Sequence, residues 1–403
     1  MKIISAALII FIIINTWIYP EELSSFASFL KYALKNNPDM AKIRLDREIA
    51  DLPWNGEPPS FVLGGEFIPS DQAESQTEIG GRLESPTLYS VASSINSTFL
   101  ARRRAAIEYK LRWRDLYRSL RNNFYDISYT REALKLAEEK LKRMQRLNDD
   151  LEIMRSSGKI RAHDFQRMKI ELSSAKLQVW SIEKEQNHLF NNLLLLLGKK
   201  PETITPDRLP DSPANYFALP AFSYLLDTAI KKRPEILLVA VEKTGNERSR
   251  NTAFLSFLPS LEISCTFKPS VKILLGANLD SAVFSGFIFK KNEMERKKID
   301  LEAMSLLNKI SNEVLEASSM YERGFHEYTI ALENRETGNI LSREANISYQ
   351  EGDLSLAAYL EQESTSYEIK QKFMEAGREL GRLALNLELT VNSSLINSEV
   401  IFP

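Results

Sequence analysis

The chain of 403 residues contains one cysteine, Cys265, and three histidines, His163, His188 and His326. A single thiol excludes an intramolecular disulfide and any paired-cysteine metal site, and its position excludes an N-terminal lipid-bearing cysteine. No histidine forms an H-E-x-x-H pair, and no Walker loop, G-x-S-x-G elbow or dinucleotide fingerprint occurs. Glycine (15) and proline (16) are both scarce, so few residues break helices and long uninterrupted ones are expected. Past the N-terminus no apolar run reaches about 18 residues, which excludes a bundle of membrane helices. A formal charge of -2 supplies no basic field for nucleic acid. With 43% hydrophobic residues, wholesale disorder is excluded as well.

What remains begins with an export signal. Met1-Lys2 precedes the apolar stretch Ile3 to Ile14, and Asn15, Thr16 and Pro20 end it. A short basic start and an apolar segment of about a dozen residues read as a signal peptide over 1–20. No A-x-A pattern marks a cleavage site, and a retained N-terminal anchor is the alternative.

The rest reads as one unit used twice. Ala33-Leu34-Lys35-Asn36-Asn37-Pro38-Asp39 matches Ala229-Ile230-Lys231-Lys232-Arg233-Pro234-Glu235. Pro59-Ser60-Phe61 matches Pro259-Ser260-Leu261, Phe67 matches Phe267, and Gly158-Lys159-Ile160 matches Gly352-Asp353-Leu354. Matches in the same order at similar offsets argue for duplication. Residues 21–197 form the first repeat and 221–390 the second. A proline-rich linker, 198–220, joins them and cannot be helical, and 391–403 is a tail.

Each repeat is expected to begin with a moderate helix, Leu23–Asp51 or Phe222–Ser256. A strand hairpin, a very long helix, a glycine break and a returning helix such as Ala162–Leu197 follow. The long helices span Ser97 to Arg155, with neither proline nor glycine, and Phe289 to Tyr349, interrupted at Gly324 and Gly338. Leu116, Leu120, Ile127, Leu134, Leu141 and Met144 make a narrow apolar seam of coiled-coil type. The seam alone also fits a plain coiled-coil scaffold.

The strand stretches alternate. Leu261, Ile263, Cys265 and Phe267 oppose Ser260, Glu262, Ser264, Thr266 and Lys268 over Ser260–Lys268. Over Lys272–Asp280, Ile273, Leu275, Ala277 and Leu279 oppose Lys272, Gly276, Asn278 and Asp280, with Leu274 the exception. Phe61, Leu63, Gly65 and Phe67 oppose Val62, Gly64 and Glu66, while Thr77, Ile79, Gly81 and Leu83 oppose Glu78, Gly80, Arg82 and Glu84. Strands of about nine to eleven residues suit a tilted bilayer crossing. Four strands leave unsatisfied edges in lipid, so closure requires several copies, and three give 12 strands. A small soluble sheet is the alternative. In the barrel reading Phe61, Phe67, Leu261, Ile263, Cys265 and Phe267 face lipid. Glu66, Glu78, Arg82, Glu84, Glu262, Lys268, Lys272 and Asp280 face the lumen.

This order of elements resembles the TolC family of outer-membrane efflux channels over nearly the whole mature chain. Asn37-Pro38-Asp39, Arg233-Pro234-Glu235, Leu258-Pro259-Ser260-Leu261, Leu193–Leu197 with Gly198, and Tyr349-Gln350-Glu351-Gly352-Asp353-Leu354 carry the resemblance. The compact length and brief hairpins look more like the cation-efflux branch. The resemblance implies a mostly α-helical chain, four strands of which enter a trimeric 12-stranded barrel above a helical tunnel. It also implies residence in the outer membrane with the helices in the periplasm, a homotrimer, a periplasmic adaptor and an inner-membrane efflux pump. No enzymatic activity, cofactor, metal or nucleic acid is implied. The turns at Gly158, Ile160, Gly352 and Leu354 would be the tips that meet the adaptor. The rival class is a structural or adhesive coiled-coil protein of the envelope.

Overall fold

The structure is a computed structural model. It describes residues 25–52, 61–62, 79–84, 88–157, 160–198, 209, 217–257, 260–267, 271–278 and 280–393; the side chains of 61–62, 79–90 and 256–286 are not described. The expected signal peptide, Glu66, Phe67, Glu78, Lys268, Gly158, most of the linker and most of the tail lie outside the described residues.

The two proline motifs are helix breaks. A residue before proline is pushed out of the α region, and Asn37 takes φ -66°, ψ 128°. One expected helix is therefore two, α1 (Phe26–Asn36) and α2 (Pro38–Ala50). Asn37 serves the break with its own side chain: Oδ1 accepts from the Asp39 and Met40 amides at 2.9 and 3.2 Å, and Nδ2 donates to the Leu196 carbonyl at 2.9 Å. The second repeat breaks at the matching place, with Arg233 at φ -67°, ψ 129° and Pro234 opening the next helix.

Beyond the first break come β1 (Phe61–Val62), β2 (Ile79–Glu84), α3 (Leu88–Ser156) and α4 (Ala162–Leu197). The second repeat supplies α5 (Phe222–Lys232), α6 (Pro234–Thr252), a 3-10 turn at Ala253–Phe257, β3 (Ser260–Phe267), β4 (Val271–Asn278), α7 (Asp280–Glu351) and α8 (Leu356–Val391). The long helices exceed expectation, with 69 residues in α3 and 72 in α7, each about 100 Å at 1.5 Å per residue.

Gly324 and Gly338 do not interrupt α7. An interior glycine costs about 1 kcal/mol against alanine, and here it permits close packing on α8. A Cβ at Gly324 would collide with Leu383, and one at Gly338 would lie 3.0 Å from Ile369.

The strands form one antiparallel sheet in the order β1-β2-β3-β4. The strand pairing between repeats is β2 with β3. Two expectations are corrected. β4 begins at Val271, one residue before the expected stretch at Lys272. Asp280 is not a strand residue: β4 ends at Asn278 and Asp280 opens α7, where a carboxylate suits the positive end of the helix dipole.

The chain divides into two compact units, each drawing on both repeats. The first comprises residues 1–41, 113–229 and 312–403. Its core includes Phe29, Met40, Leu120, Phe124, Ile127, Phe165, Leu193, Leu197, Leu225 and Tyr321, each under 2% exposed. The linker is strapped to this unit at two points. Arg131 donates to the Leu209 carbonyl at 3.0 Å, and Phe217 stacks on Tyr321, whose hydroxyl bonds both its amide and its carbonyl. The second unit comprises residues 42–112 and 230–311 and carries the sheet.

Candidate functional site

In the first unit, two helix returns are built from local chemistry. At the end of α7, Gly352 has φ +86°. The Gly352 amide donates to the Tyr349 carbonyl at 3.2 Å and the Asp353 amide to the Ser348 carbonyl at 2.9 Å. This pair of bonds is the Schellman closure, which favours glycine at the left-handed position. Ser355 then caps α8, its Oγ accepting from the Ala358 amide at 3.3 Å. At the end of α3, Ser156 and Ser157 hydroxyls donate to the carbonyls of Ile153 and Met154 at 2.7 and 2.9 Å. No side chain caps α4 at Arg161; Asp164 sits in its first turn.

The two returns share one apolar cluster. Ile160 from the first and Leu354 from the second pack against Met144, Leu151, Phe165, Met168, Ala345, Leu356, Tyr359 and Leu360. Tyr349 stacks on Tyr359 with ring centres 4.8 Å apart. Arg155 and Lys169 each lie over the Phe165 ring, at 4.6 and 4.8 Å. Burial raises the Tyr349 pKa, helped by the carboxylates of Asp150 and Asp164, so the first return brings charge near a ring of the second. Thus Ile160 and Leu354 come together on one cluster, with Gly352 in the turn that leads to Leu354; Gly158 lies outside the described residues.

Deeper in the same unit is a group that the sequence does not single out. Glu363 of α8, with a side chain 5% exposed, pairs with Arg143 of α3 at 3.2 Å and accepts from Ser342 of α7 at 2.5 Å. Arg143 also donates to Ser342 at 3.3 Å. Three helices are thereby tied through one buried carboxylate. Burial and then Glu363 push the Tyr359 pKa up to about 12. A second tie joins Asp126 of α3 to Arg382 and Arg378 of α8. On a helix sequence these residues look like any solvated charge. The accessible signal is Gly338, where α7 and α8 approach closely enough for Ser366 to donate to its carbonyl at 2.8 Å.

In the second unit the sheet register sorts the alternating residues. Leu261, Ile263, Cys265 and Phe267 oppose Ala277, Leu275, Ile273 and Val271. On the other side Ile263, Cys265 and Phe267 oppose Leu83, Gly81 and Ile79, and Leu83 opposes Phe61. Directly opposed positions share a face of the sheet, so the register keeps one apolar set together across all four strands. The other set contains Glu84 opposite Glu262, Arg82 opposite Ser264 and Lys272 opposite Thr266. Asp280, in α7, stands outside this alternation. Among the described residues no helix is long and apolar enough to cross a membrane, and no group of three His, Cys, Asp or Glu side chains is placed to hold a metal ion.

No protein-family model matches the sequence, and no curated protein matches it. Solved structures do. A membrane protein from Pseudomonas aeruginosa superposes with a TM-score of 0.71 at 16% identity, covering 91% of this chain and 90% of that one. The open state of the Neisseria gonorrhoeae MtrE outer-membrane channel gives 0.70 at 14%, covering 92% and 89%. The outer-membrane channel OprN gives 0.68 at 17%, covering 92% and 90%. Across nine-tenths of its length, this chain has the fold of those two outer-membrane channels.

Proposed function

We propose that the chain is one of three copies of a passive outer-membrane efflux channel of the TolC type. The channel has no chemistry of its own and conducts solutes from the periplasm to the exterior. The single observation that carries this reading is the sheet. Four strands keep one apolar set together in register, opposite a face that is mostly polar apart from Leu274 and Val62, and among the described residues β1 and β4 end the sheet as edges. In lipid such edges must pair, because no water is present to satisfy them. Three copies close a barrel of 12 strands, within the range of known membrane barrels.

In that barrel Phe61, Phe67, Leu261, Ile263, Cys265 and Phe267 face lipid. Glu66, Glu78, Glu84 and Glu262 face the lumen with Arg82, Lys268 and Lys272, an acidic excess of one that favours cations mildly. The paired returns at Gly158–Ile160 and Gly352–Leu354 are the periplasmic tips. There a periplasmic adaptor links the channel to an inner-membrane pump that supplies energy and selectivity. Short hairpins and compact length favour the cation-efflux branch.

The test is current across a planar bilayer containing the purified protein. Stable single-channel steps, with a reversal potential showing mild cation preference, support the reading. A protein released from membranes by carbonate, with no conductance, would indicate a peripheral envelope scaffold.

A further inference from the structure

We infer that Arg103 and Arg248, stacked on the Phe99 ring, form a binding site for the phosphate of an anionic phospholipid headgroup. The inference rests on the membrane-barrel reading above and gives the helices beneath the sheet a lipid ligand.

The two side chains come from different helices and meet on one ring. Phe99 and Arg103 stand four residues apart on α3, and Arg248 comes from α6. The guanidinium carbon of Arg103 lies 4.5 Å from the Phe99 ring centre and that of Arg248 lies 3.6 Å from it, so the two cations are no more than about 8 Å apart. Like charges at that range repel, and attraction to the ring offsets only part of the repulsion. An anion between them removes it. A phosphate has oxygens enough to be held by two guanidiniums at once, in the fork geometry that arginine favours.

The neighbouring arginines are already engaged. Arg102 donates to the carbonyls of Ala50, Asp51 and Leu52 at 3.0–3.2 Å, and Arg104 pairs with Glu242 at 3.7 Å. Among the described residues no carboxylate pairs with Arg103 or Arg248, and both are exposed. The helices that carry them are held close. A Cβ at Gly245 of α6 would collide with Leu100 of α3, and Asn96 of α3 donates to the Gly245 carbonyl at 3.2 Å. The spacing of the two arginines is therefore set before any ligand arrives.

The depth of the site suits a headgroup. β3 and β4 have 8 residues each, about 26 Å of strand. A tilt of about 40° leaves about 20 Å of height against an apolar band of about 25 Å. Headgroups add about 5–8 Å on each side of the hydrocarbon. The headgroup layer therefore falls on the helices next to the sheet. One face of α3 is ordered to match. Counting from the sheet, Ile95 (60% exposed) comes first, then Phe99, then Arg103, each four residues on. Helical side chains lean toward the N-terminus, which in α3 is the sheet end, so Arg103 reaches back toward the membrane. Phe254, ahead of β3, and Phe287, after β4, are 58 and 71% exposed and repeat the apolar position on either side of that hairpin. Exposed apolar groups in this band suit lipid better than an aqueous duct. α3 leaves β2 and α6 approaches β3, the central pair of the sheet, so copies that pair at β1 and β4 leave the site open.

The test is native mass spectrometry of the full chain in detergent, titrated with phosphatidylglycerol. The wild type should retain one lipid per chain. Arg103→Gln with Arg248→Gln should weaken retention by about tenfold or more, as the loss of two charge-assisted contacts requires. Arg112→Gln removes an exposed arginine of α3 outside the site and should leave retention unchanged. Equal retention by the wild type and the double variant would overturn the site. Should the double variant fail to fold, Arg248→Gln alone decides, and retention equal to wild type overturns the site again. Displacement of the lipid by equimolar inorganic phosphate would also overturn it, because the ligand would then be a free ion. A wild type without conductance in a planar bilayer would defeat the channel reading itself. Conductance with no phosphatidylglycerol retained would defeat the lipid site alone.

Discussion

The two compact units solve folding in different ways. The first buries its large side chains and its charges together: Glu363 is 5% exposed and Asp126 17%, each paired across helices. In the second, the described apolar side chains that are buried reduce to Ala50, Ile107, Pro234, Val241, Ala253 and Ile310. Its ion pairs along α7, Lys291–Glu295, Lys297–Glu293 and Lys298–Glu302, lie within one helix at side-chain exposures of 46–75%. The first unit has a core of its own, whereas the second carries a sheet that ends, among the described residues, at β1 and β4. That contrast is expected of a chain whose first part folds on itself and whose second part is completed by other copies.

The comparison is sharpened most by removing a buried partner from the first unit. Arg143→Ala leaves Glu363 buried with only Ser342, and should cost about 3 kcal/mol, as broken buried pairs do. Urea unfolding followed by helical circular dichroism measures it, and a loss below about 1 kcal/mol would mean that the pair contributes no more than a surface one.

The two left-handed glycines of the first unit should separate next. A Cβ at Gly198 would collide with the backbone of Asn36 in addition to adopting φ +76°. Strain and overpacking together should cost about 2–3 kcal/mol in Gly198→Ala. Gly352 has φ +86° but nothing within 4 Å of that position, so Gly352→Ala should cost only about 1 kcal/mol. Equal losses for the two variants would contradict the close approach at Gly198.

Alkaline pH acts on the same unit. The pKa values of Tyr129 and Tyr359 are both pushed up to about 12, chiefly by burial. The unfolded phenols ionise near 10. The neutral-ring stabilisation is therefore complete below pH 10 and declines as pH rises from 10 through 12. Melting temperature against pH should show that fall, and Tyr129→Phe with Tyr359→Phe should lessen it, the remainder coming from Tyr117, Tyr321, Tyr349 and Tyr367, whose pKa values burial also raises.

The smallest effect belongs to the second unit. Lys243 and Asp300 pair at 3.0 Å with both side chains nearly half exposed, so Lys243→Ala should cost about 0–1 kcal/mol and less in high salt.

Much of this was legible in the sequence, unevenly. The alternation in β3 and the turn at Gly352 follow from spacing alone. Asn37-Pro38 and Arg233-Pro234 were visible as repeats, yet each marks a break within what reads as one helix; only the pre-proline restriction separates the halves. The ends of α3 and α7 extend past the expected bounds because Leu88–Asn96 holds no breaker, and a glycine such as Gly338 is tolerated where a neighbour needs the space. Glu363 and Asp126 could not be found, since burial of a charge is decided by a partner more than a hundred residues away. The strand assignment of Asp280 failed because alternation carries no mark of where a strand gives way to a helix.

The most direct measurement of the account is the molar mass of the full chain extracted from membranes in detergent, by light scattering corrected for bound detergent. Three chains per particle is the predicted result. A monodisperse single chain would contradict it, because a monomer leaves the edges at β1 and β4 with no strand to pair them in lipid.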